Sequence, residues 1–255
     1  MHRTSGLLVS VTPSNNDLDM YRSGQYFSDP SRHAQDGVFK AAECWKLLSS
    51  VADPVSSPIH SYADVGCGSG VATKELAKHV RAGGHPLADV VGFDVSPHVA
   101  SVAGSDDQGI RFVQADFAQG VDRFDLVTLF DVFEHVADPT EFLRSFRDRT
   151  TWLGLHIPLE DCSYYRLTDV YMDRIRNPGH VTILRVESAL NLLAASGWLV
   201  RSYAYTPGFR LAEEPTSWKD RAVQIMRSGL WRLNPALLSR TLGGVSLVVV
   251  AQPLT

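Results

Sequence analysis

A chain of 255 residues can bury a hydrophobic core without disulfides or structural metal, and we expect one α/β domain with appendages. The formal charge of −4, from 24 basic and 28 acidic residues, argues against a nucleic-acid partner. Three cysteines without zinc-site spacing, and no apolar run near the roughly 18 to 20 residues of a membrane span, predict a cytoplasmic protein with no stable membrane insertion.

Short apolar strands alternate with helix-patterned stretches through the middle of the chain. The strand candidates lie at 62–65, 90–94, 110–114, 126–130 and 152–157. The helix candidates lie at 36–48, 71–81, 96–102, 139–147 and 186–196. This alternation predicts a parallel sheet with helices on both faces. Two later strands, "WLVRSYAYT" and "GGVSLVVVAQ", are predicted to pair antiparallel at one edge of the sheet.

Two segments stand outside this pattern. Residues 1–50 are predicted to form an N-terminal cap segment before a domain over 51–255. Residues 208–243 are predicted to be a helical lid inserted between the last two strands. Its amphipathic stretch over 218–233 carries Lys219, Arg221, Arg227 and Arg232. A dimer helix, and a helix that touches a membrane surface or a lipid-linked acceptor, are alternatives for this stretch.

Three glycines follow the first strand in "ADVGCGSGVATKELAKH", at Gly66, Gly68 and Gly70. In open parallel sheets ligands bind outside the carboxyl ends of the strands, and glycine lets the backbone approach a ligand closely. The dinucleotide fingerprint G-x-G-x-x-G needs glycine where this chain has Val71. The loop therefore predicts a small-molecule site and disfavours a nicotinamide-dependent oxidoreductase.

Acidic residues end the next two strands. Asp94 closes the second strand in "VVGFDVSP", where a carboxylate can accept hydrogen bonds from both hydroxyls of a ribose. Asp116 follows the third strand beside Phe117, a pair suited to the amino group and ring face of adenine. Either acid alone could be a solvated strand end or a helix cap, but together with Asp64 they predict a nucleoside site.

The ordered motifs "DVGCGSG", "GFDVSP", "QADF" and "FDLVTLFDVFEHVADP" resemble those of the class I S-adenosylmethionine-dependent methyltransferases, over most of residues 62–206. Further along, "FLRSF", "LHIPLE" and "GHVTILRVESALNLLAASGW" resemble a branch with small-molecule, quinone and glycan-precursor methyltransferases. The resemblance implies a Rossmann-like, seven-stranded, mostly parallel sheet with helices on both faces and an antiparallel last strand. It also implies S-adenosylmethionine as the cofactor.

By this resemblance, one set of residues surrounds the cofactor: Asp64, Gly66, Gly68, Gly70, Asp94, Val95, Asp116, Phe117, Phe130 and Tyr26. A second set faces the acceptor: Tyr21, Asp131 and Glu134. Tyr21 and Tyr26 belong to a segment that covers the cofactor in the resembling enzymes. Packing of these aromatic side chains on the sheet is the alternative.

Methyl transfer to oxygen, or to a protonated nitrogen, needs a base, and histidine suits this role because its pKa lies near working pH. His135 follows the fourth strand and is the first candidate for the catalytic base. His156, at the end of the fifth strand, and His180, in "NPGHV", are the other two. Each of the three could instead be structural. No lysine lies between Lys78 and Lys219 to compete with them.

Asp131, Glu134 and His135 have the i, i+3, i+4 spacing of one helix face. The spacing resembles the Glu/Glu/His set of ubiquinone-pathway O-methyltransferases, with Asp131 in place of the first glutamate. We predict no metal, with these three residues as the alternative ligand set.

The predicted activity is methyl transfer to a hydroxyl oxygen of a small molecule, in secondary-metabolite or glycan biosynthesis. The alternatives are a small-molecule N-methyltransferase and a S-adenosylmethionine-binding regulatory subunit without catalysis. Partners are a small-molecule acceptor and no nucleic acid, with a homodimer left open.

Overall fold

The seven strands of the computed structural model form one mixed sheet. The structure describes residues 30–97, 99, 109–176, 180–211 and 217–254. The strands are β1 Ser61–Val65, β2 Asp89–Asp94, β3 Arg111–Gln114, β4 Phe124–Phe130, β5 Thr150–Leu159, β6 Trp198–Thr206 and β7 Val245–Pro253. Tyr21, Tyr26 and most of the helix predicted over 96–102 lie outside the described residues.

The order of the strands across the sheet is β3-β2-β1-β4-β5-β7-β6. Strands β1 to β5 pair in parallel, while β7 runs antiparallel to both of its neighbours, β5 and β6. The predicted seven-stranded, mostly parallel sheet with an antiparallel last strand is therefore confirmed. Because β1 and β4 are adjacent, with Val65 beside Leu129, the segments that follow these two strands leave the sheet side by side.

Eight α-helices surround this sheet in the described part of the chain. They are α1 Pro30–Leu48, α2 Val71–Ala82, α3 Pro139–Ser145, α4 Ser163–Arg166, α5 Val170–Arg176, α6 Val186–Ala195, α7 Trp218–Leu233 and α8 Pro235–Thr241. Helix α7, which lies in the predicted lid, begins with a capping box in which Ser217 and Asp220 bond each other's backbone N–H groups. Among the helices of the described ranges, none has the length and apolarity needed to span a bilayer.

Alternation along the strands divides the core between the two faces of the sheet. Neighbouring residues such as Leu126 and Val127 belong to different clusters, because successive strand side chains point to opposite faces. One cluster includes apolar residues of α3, α6 and α8, and the other includes those of α1 and α2. Helix α1, inside the predicted N-terminal cap segment, thus packs as a core helix through Ala41, Cys44 and Leu48.

An ion pair ties α1 to the end of β4. The Lys40 ammonium lies 2.7 Å from Oδ2 of Asp131 and also pairs with Asp36. Asp131 in turn bonds Nδ1 of His156 on β5 through Oδ1, at 2.5 Å. Burial alone opposes both charges, but the two carboxylates hold the pKa of Lys40 above its ordinary value, and Lys40 and His156 hold the pKa of Asp131 below its ordinary range. The three elements are therefore linked through one half-buried carboxylate.

Replacing Lys40 by methionine should lower the free energy of unfolding by up to about 3 kcal/mol at pH 7, because His156 is then the one side-chain partner that Asp131 keeps in the described part of the chain. The lowered pKa of Asp131 stabilises the folded state at neutral pH, and this contribution is lost as the pH falls below the ordinary carboxyl range. The difference between variant and wild type in urea unfolding should accordingly shrink below about pH 4.

Lys46→Met is the matched control, because Lys46 lies on the same helix and forms an exposed pair with Glu43. It should change the free energy of unfolding by less than about 1 kcal/mol. Equal free energies of unfolding for Lys40→Met and wild type at pH 7 would show that the Lys40–Asp131 ion pair does not stabilise the fold.

Candidate active site

The loop after β1 has left-handed backbone at all three predicted glycines. The φ angles are 74° at Gly66, 49° at Gly68 and 70° at Gly70. A Cβ on Gly66 would lie 2.5 Å from the Val132 side chain, and one on Gly70 would lie 2.5 Å from the Phe112 ring. The loop is thus held close to the end of β4 on one side and to β3 on the other, and L side chains at Gly66 and Gly70 would be both strained and crowded.

The Asp64 carboxylate, on β1 directly before the loop, fixes the loop's position. It is buried and accepts hydrogen bonds from the hydroxyls of Thr73 on α2, at 2.6 Å, and Thr128 on β4, at 2.7 Å. Burial raises the pKa of Asp64 to about 6, although the two hydroxyl bonds act in the opposite direction. Asp64, one of the predicted cofactor residues, therefore holds the loop in place by connecting β1 to β4 and α2.

Asp94 lies at the end of β2, against the same loop. Its Oδ2 accepts from the backbone N–H of Gly68 at 2.9 Å, and its Oδ1 accepts from that of Ser96 at 2.8 Å. A carboxylate has about four acceptor positions, so about two remain for the hydroxyls of a ligand. The adjacent Val95 side chain is 67% exposed and offers apolar surface beside them. Acceptors and apolar surface in this arrangement fit the ribose and base of a nucleoside.

The residues predicted to contact adenine have different surroundings. Asp116 is exposed, and its carboxylate accepts from the backbone N–H of Ala118 and from the side chain of Gln119. The Phe117 ring is 2% exposed and packs among other aromatic rings in the core, so it has no free face for stacking in this structure. Phe130 is also buried, at the end of β4. Among the apolar residues predicted for the cofactor that the structure describes, Val95 is exposed while Phe117 and Phe130 are buried.

A buried carboxyl lies just beyond β4, in the 3₁₀ turn Phe133–His135. Glu134 is 1% exposed, and neither of its carboxyl oxygens has a hydrogen-bond partner among the described residues. Burial, and then the negative charge of Asp131, raise the pKa of Glu134 well above its ordinary value. An ionised carboxylate in such a place is costly, so the protonated form is favoured unless a ligand or cation comes to it.

Two histidines meet Glu134 at this turn. The backbone N–H groups of Val181 and Thr182 donate to the Glu134 carbonyl at 2.9 and 3.0 Å. These two hydrogen bonds attach the segment that follows His180 to the turn. The His135 and His180 rings then meet edge to face, with centroids 4.7 Å apart. We call Glu134, His135 and His180 the rim cluster. One possible ligand atom from each lies within 4.8 Å of the other two.

His180 is oriented by a carboxylate that the sequence analysis did not select. Its Nδ1 lies 2.5 Å from Oε2 of Glu160, and Oε1 of Glu160 forms an ion pair with Nε of Arg174 at 3.1 Å. With Nδ1 on Glu160, Nε2 of His180 remains as the other polar atom of the ring. Glu160 follows β5 in "LHIPLE". Glu160 is therefore an acidic residue at the end of a strand, the same pattern that predicted Asp94.

Asp131 and His156 are in contact with each other and belong to a different group. Asp131 has a left-handed backbone, with φ 54°, and bonds Lys40 and His156. Nε2 of His156 lies 3.3 Å from the hydroxyl of Thr206, so both ring nitrogens have partners and the ring is buried. The helical face expected for Asp131, Glu134 and His135 does not form, because the backbone at Asp131 is not helical. His180 takes the third place beside Glu134 and His135.

The chain is similar in sequence to known methyltransferases. A methyltransferase domain family model matches residues 60–203, more than half of the chain. Curated ubiquinone biosynthesis O-methyltransferases are similar over shorter stretches: the Azorhizobium caulinodans protein is 41% identical over 91 residues and the Cereibacter sphaeroides protein 36% over 92. These alignments cover 32% and 33% of this chain, and 32% and 34% of the relatives, so the chain spans about a third of the length of the curated relatives it matches.

The fold is similar to that of solved methyltransferases. The N-methyltransferase NodS from Bradyrhizobium japonicum, in complex with S-adenosyl-L-homocysteine, has a TM-score of 0.59 at 14% identity, over 94% of this chain and 100% of NodS. This likeness confirms the fold, and the family match confirms the predicted class I S-adenosylmethionine-dependent methyltransferase. The chain belongs to the methyltransferase domain family.

Proposed function

We propose that this protein transfers the methyl group of S-adenosylmethionine to a hydroxyl oxygen of a small-molecule acceptor. The observation that carries this proposal is the rim cluster, in which a buried carboxyl and two imidazoles come together just after the end of β4. Val132, two residues before Glu134, is the side chain that packs against Gly66. The names of the two curated relatives support oxygen as the methylated atom, although the alignments cover only a third of each protein.

When bound, S-adenosylmethionine supplies an electrophilic methyl group on a positively charged sulfur. We propose that Asp94 accepts from the ribose hydroxyls, that Val95 contacts the base, and that the Asp116 carboxylate lies near the amino group of the base. The loop of Gly66, Gly68 and Gly70 would border the methionine part. Because methyl transfer is an in-line displacement, most of its acceleration can come from holding an acceptor oxygen about 3 Å from the methyl carbon.

His135 is the proposed base, and the acceptor oxygen would lie beside the rim cluster. His135 would take the acceptor proton as the new bond forms, because a neutral hydroxyl is a weak nucleophile. The neighbouring His180 is held in place by the Glu160 carboxylate, which contacts its Nδ1 at 2.5 Å. We propose that His180 orients the acceptor or His135 and does not carry the proton itself.

Two other activities are compatible with the same fold. The first is methyl transfer to nitrogen, which would need the same base only if the amine is protonated. The second is a regulatory protein that binds S-adenosylmethionine and needs no acceptor. The rim cluster favours an enzyme, because a buried carboxyl with no hydrogen-bond partner among the described residues costs stability and a purely structural role does not explain it. Incubation with radiolabelled S-adenosylmethionine and panels of phenolic and amine acceptors would separate these activities. Label on amines alone would overturn the assignment to oxygen.

Asp94→Ala should weaken S-adenosylmethionine binding at least tenfold. It removes the acceptor for two ribose hydroxyls, and each hydrogen bond to a charged group contributes about 1.5 to 3 kcal/mol. Affinity is measured by calorimetry after circular dichroism has confirmed the fold. The matched control is Asp89→Ala, at the opposite end of β2, where the carboxylate pairs with Arg111 on the surface. An affinity equal to that of the control would remove Asp94 from the site.

His135→Ala should leave cofactor affinity within about threefold and lower the methyl-transfer rate by roughly 10² to 10⁴, the usual contribution of a positioned base. His135→Gln should not restore the rate, because an amide can hydrogen-bond the acceptor but cannot take its proton. Rates at saturating cofactor are compared across pH 6 to 9, with exposed His60→Gln as the control. Near-native rates in both variants would move the base to His180 first and then to His156.

A chelator should leave activity largely unchanged, because the raised pKa of Glu134 favours its protonated form and a metal ligand must be deprotonated. Glu134→Gln keeps the shape of the neutral carboxyl and should preserve cofactor affinity. If a chelator abolishes activity and magnesium, manganese or zinc restores it, the rim cluster holds a cation. Glu134→Gln should then also lose the rescue.

A further inference from the structure

Helix α7 carries its apolar residues on the side that faces away from the protein. At about 100° per residue, six positions fall within an arc of about 100°. They are Trp218, Ala222, Ile225, Met226, Gly229 and Leu233, and all six are exposed. Among the large ones, Trp218 is 75%, Ile225 72% and Leu233 84% exposed. We call this set the α7 stripe. In an ordinary surface helix such a stripe would face the core.

Cations flank the α7 stripe on both sides. The same helical spacing puts Lys219 at one margin of the stripe and Arg221 and Arg232 at the other, and all three are exposed. The acidic residue of the helix, Asp220, lies on the far side, where it closes the capping box with Ser217. The exposed face is therefore apolar along its middle and positive along both edges, although the chain as a whole has a formal charge of −4.

The opposite face of α7 is anchored to the domain. The Gln224 side chain donates to the Phe209 carbonyl at 2.8 Å, and the Arg227 guanidinium donates to the Leu242 carbonyl at 2.9 Å. The Trp231 ring contacts the Phe209 ring, with centroids 6.3 Å apart. The helix therefore has a firm attachment, and the α7 stripe is not its means of packing.

This attachment lies at the same edge of the sheet as the rim cluster. Phe209 follows the end of β6, and Leu242 precedes the start of β7. The Arg227 guanidinium also lies 5.9 Å from the centroid of the Tyr164 ring. Tyr164 is in α4, four residues after the Glu160 that orients His180. A surface in contact with the α7 stripe would therefore lie on the side of the molecule where strands β5 and β6 end.

We propose that the α7 stripe docks on an anionic lipid surface, as a reversible interfacial helix. An apolar stripe with lysine and arginine along both margins suits the interface, because the apolar side chains enter the acyl boundary while the cations reach the lipid phosphates. A second copy of the chain is the other candidate occupant. A twofold contact through this face would bring the cations of one copy toward those of the other, and no residue of the α7 stripe or its margins is acidic.

Flotation with lipid vesicles tests the proposal without any need for methyl transfer, so its outcome is independent of the proposed function. The protein should float with vesicles of phosphatidylcholine containing about a third phosphatidylglycerol, and far less with phosphatidylcholine alone. Binding should weaken at high salt, because salt screens the attraction between the cations and the lipid phosphates.

Two double variants separate the apolar contribution to vesicle binding from the electrostatic one. Ile225→Ser with Leu233→Ser should lower the partition coefficient at least tenfold by removing apolar contact. Arg221→Glu with Arg232→Glu should abolish the preference for anionic vesicles. Their matched controls are Val121→Ser, 85% exposed before β4, and Lys46→Glu, exposed at the end of α1. Both controls should bind like wild type, and circular dichroism checks the fold of every variant.

Sedimentation velocity supplies the outcome that would overturn the proposal in favour of a second copy. If wild type sediments as a dimer, the Ile225 and Leu233 double variant as a monomer, and neither floats with vesicles, the α7 stripe is a subunit interface. Equal flotation with neutral and anionic vesicles would reject the anionic surface. Equal flotation of the double variants and the controls would reject α7 as the docking helix.

Discussion

The buried carboxylate of Asp64 is the contact on which the rest of the site depends. Because its two hydroxyl partners are on α2 and β4, one side chain sets the separation of the first strand, its helix and the central neighbouring strand. The glycine loop can lie against Val132 and Phe112 only if that separation is small. The apolar surroundings raise the pKa of Asp64, and the two hydroxyls partly offset this cost. The loop is thus shaped before any ligand arrives, which lowers the ordering cost of binding.

Two carboxyl groups after β4, those of Asp131 and Glu134, have opposite surroundings. Asp131 has a cation and an imidazole, which hold it ionised, while Glu134, three residues later, has no partner among the described residues. The charge of Asp131 is one of the reasons that the pKa of Glu134 is raised. Pairs of titratable groups pushed in opposite directions are typical of sites that handle protons.

The sequence predicted the features that depend on local pattern. Strand alternation, the glycine spacing and the acids at strand ends identified the sheet, the loop and Asp94, because each of these follows from the position of a residue relative to its own strand. Lys40, Glu160 and Arg174 were missed as partners, since their contacts join segments that are far apart in the chain. Phe117 was placed beside a ligand because it is aromatic and follows a strand, but burial among other rings stabilises the same residue without one.

The left-handed backbone at Asp131 restricts which residues can follow β4. Asparagine, aspartate and glycine adopt this conformation at low cost, whereas longer side chains do so only with strain. A glutamate in this position would have to overcome that strain and would carry its carboxylate beyond the place where Lys40 and His156 meet it. Replacing Asp131 by glutamate would therefore add backbone strain and disturb the contacts with Lys40 and His156 at the same time. The turn after β4 and the residues that meet its first side chain are matched to each other.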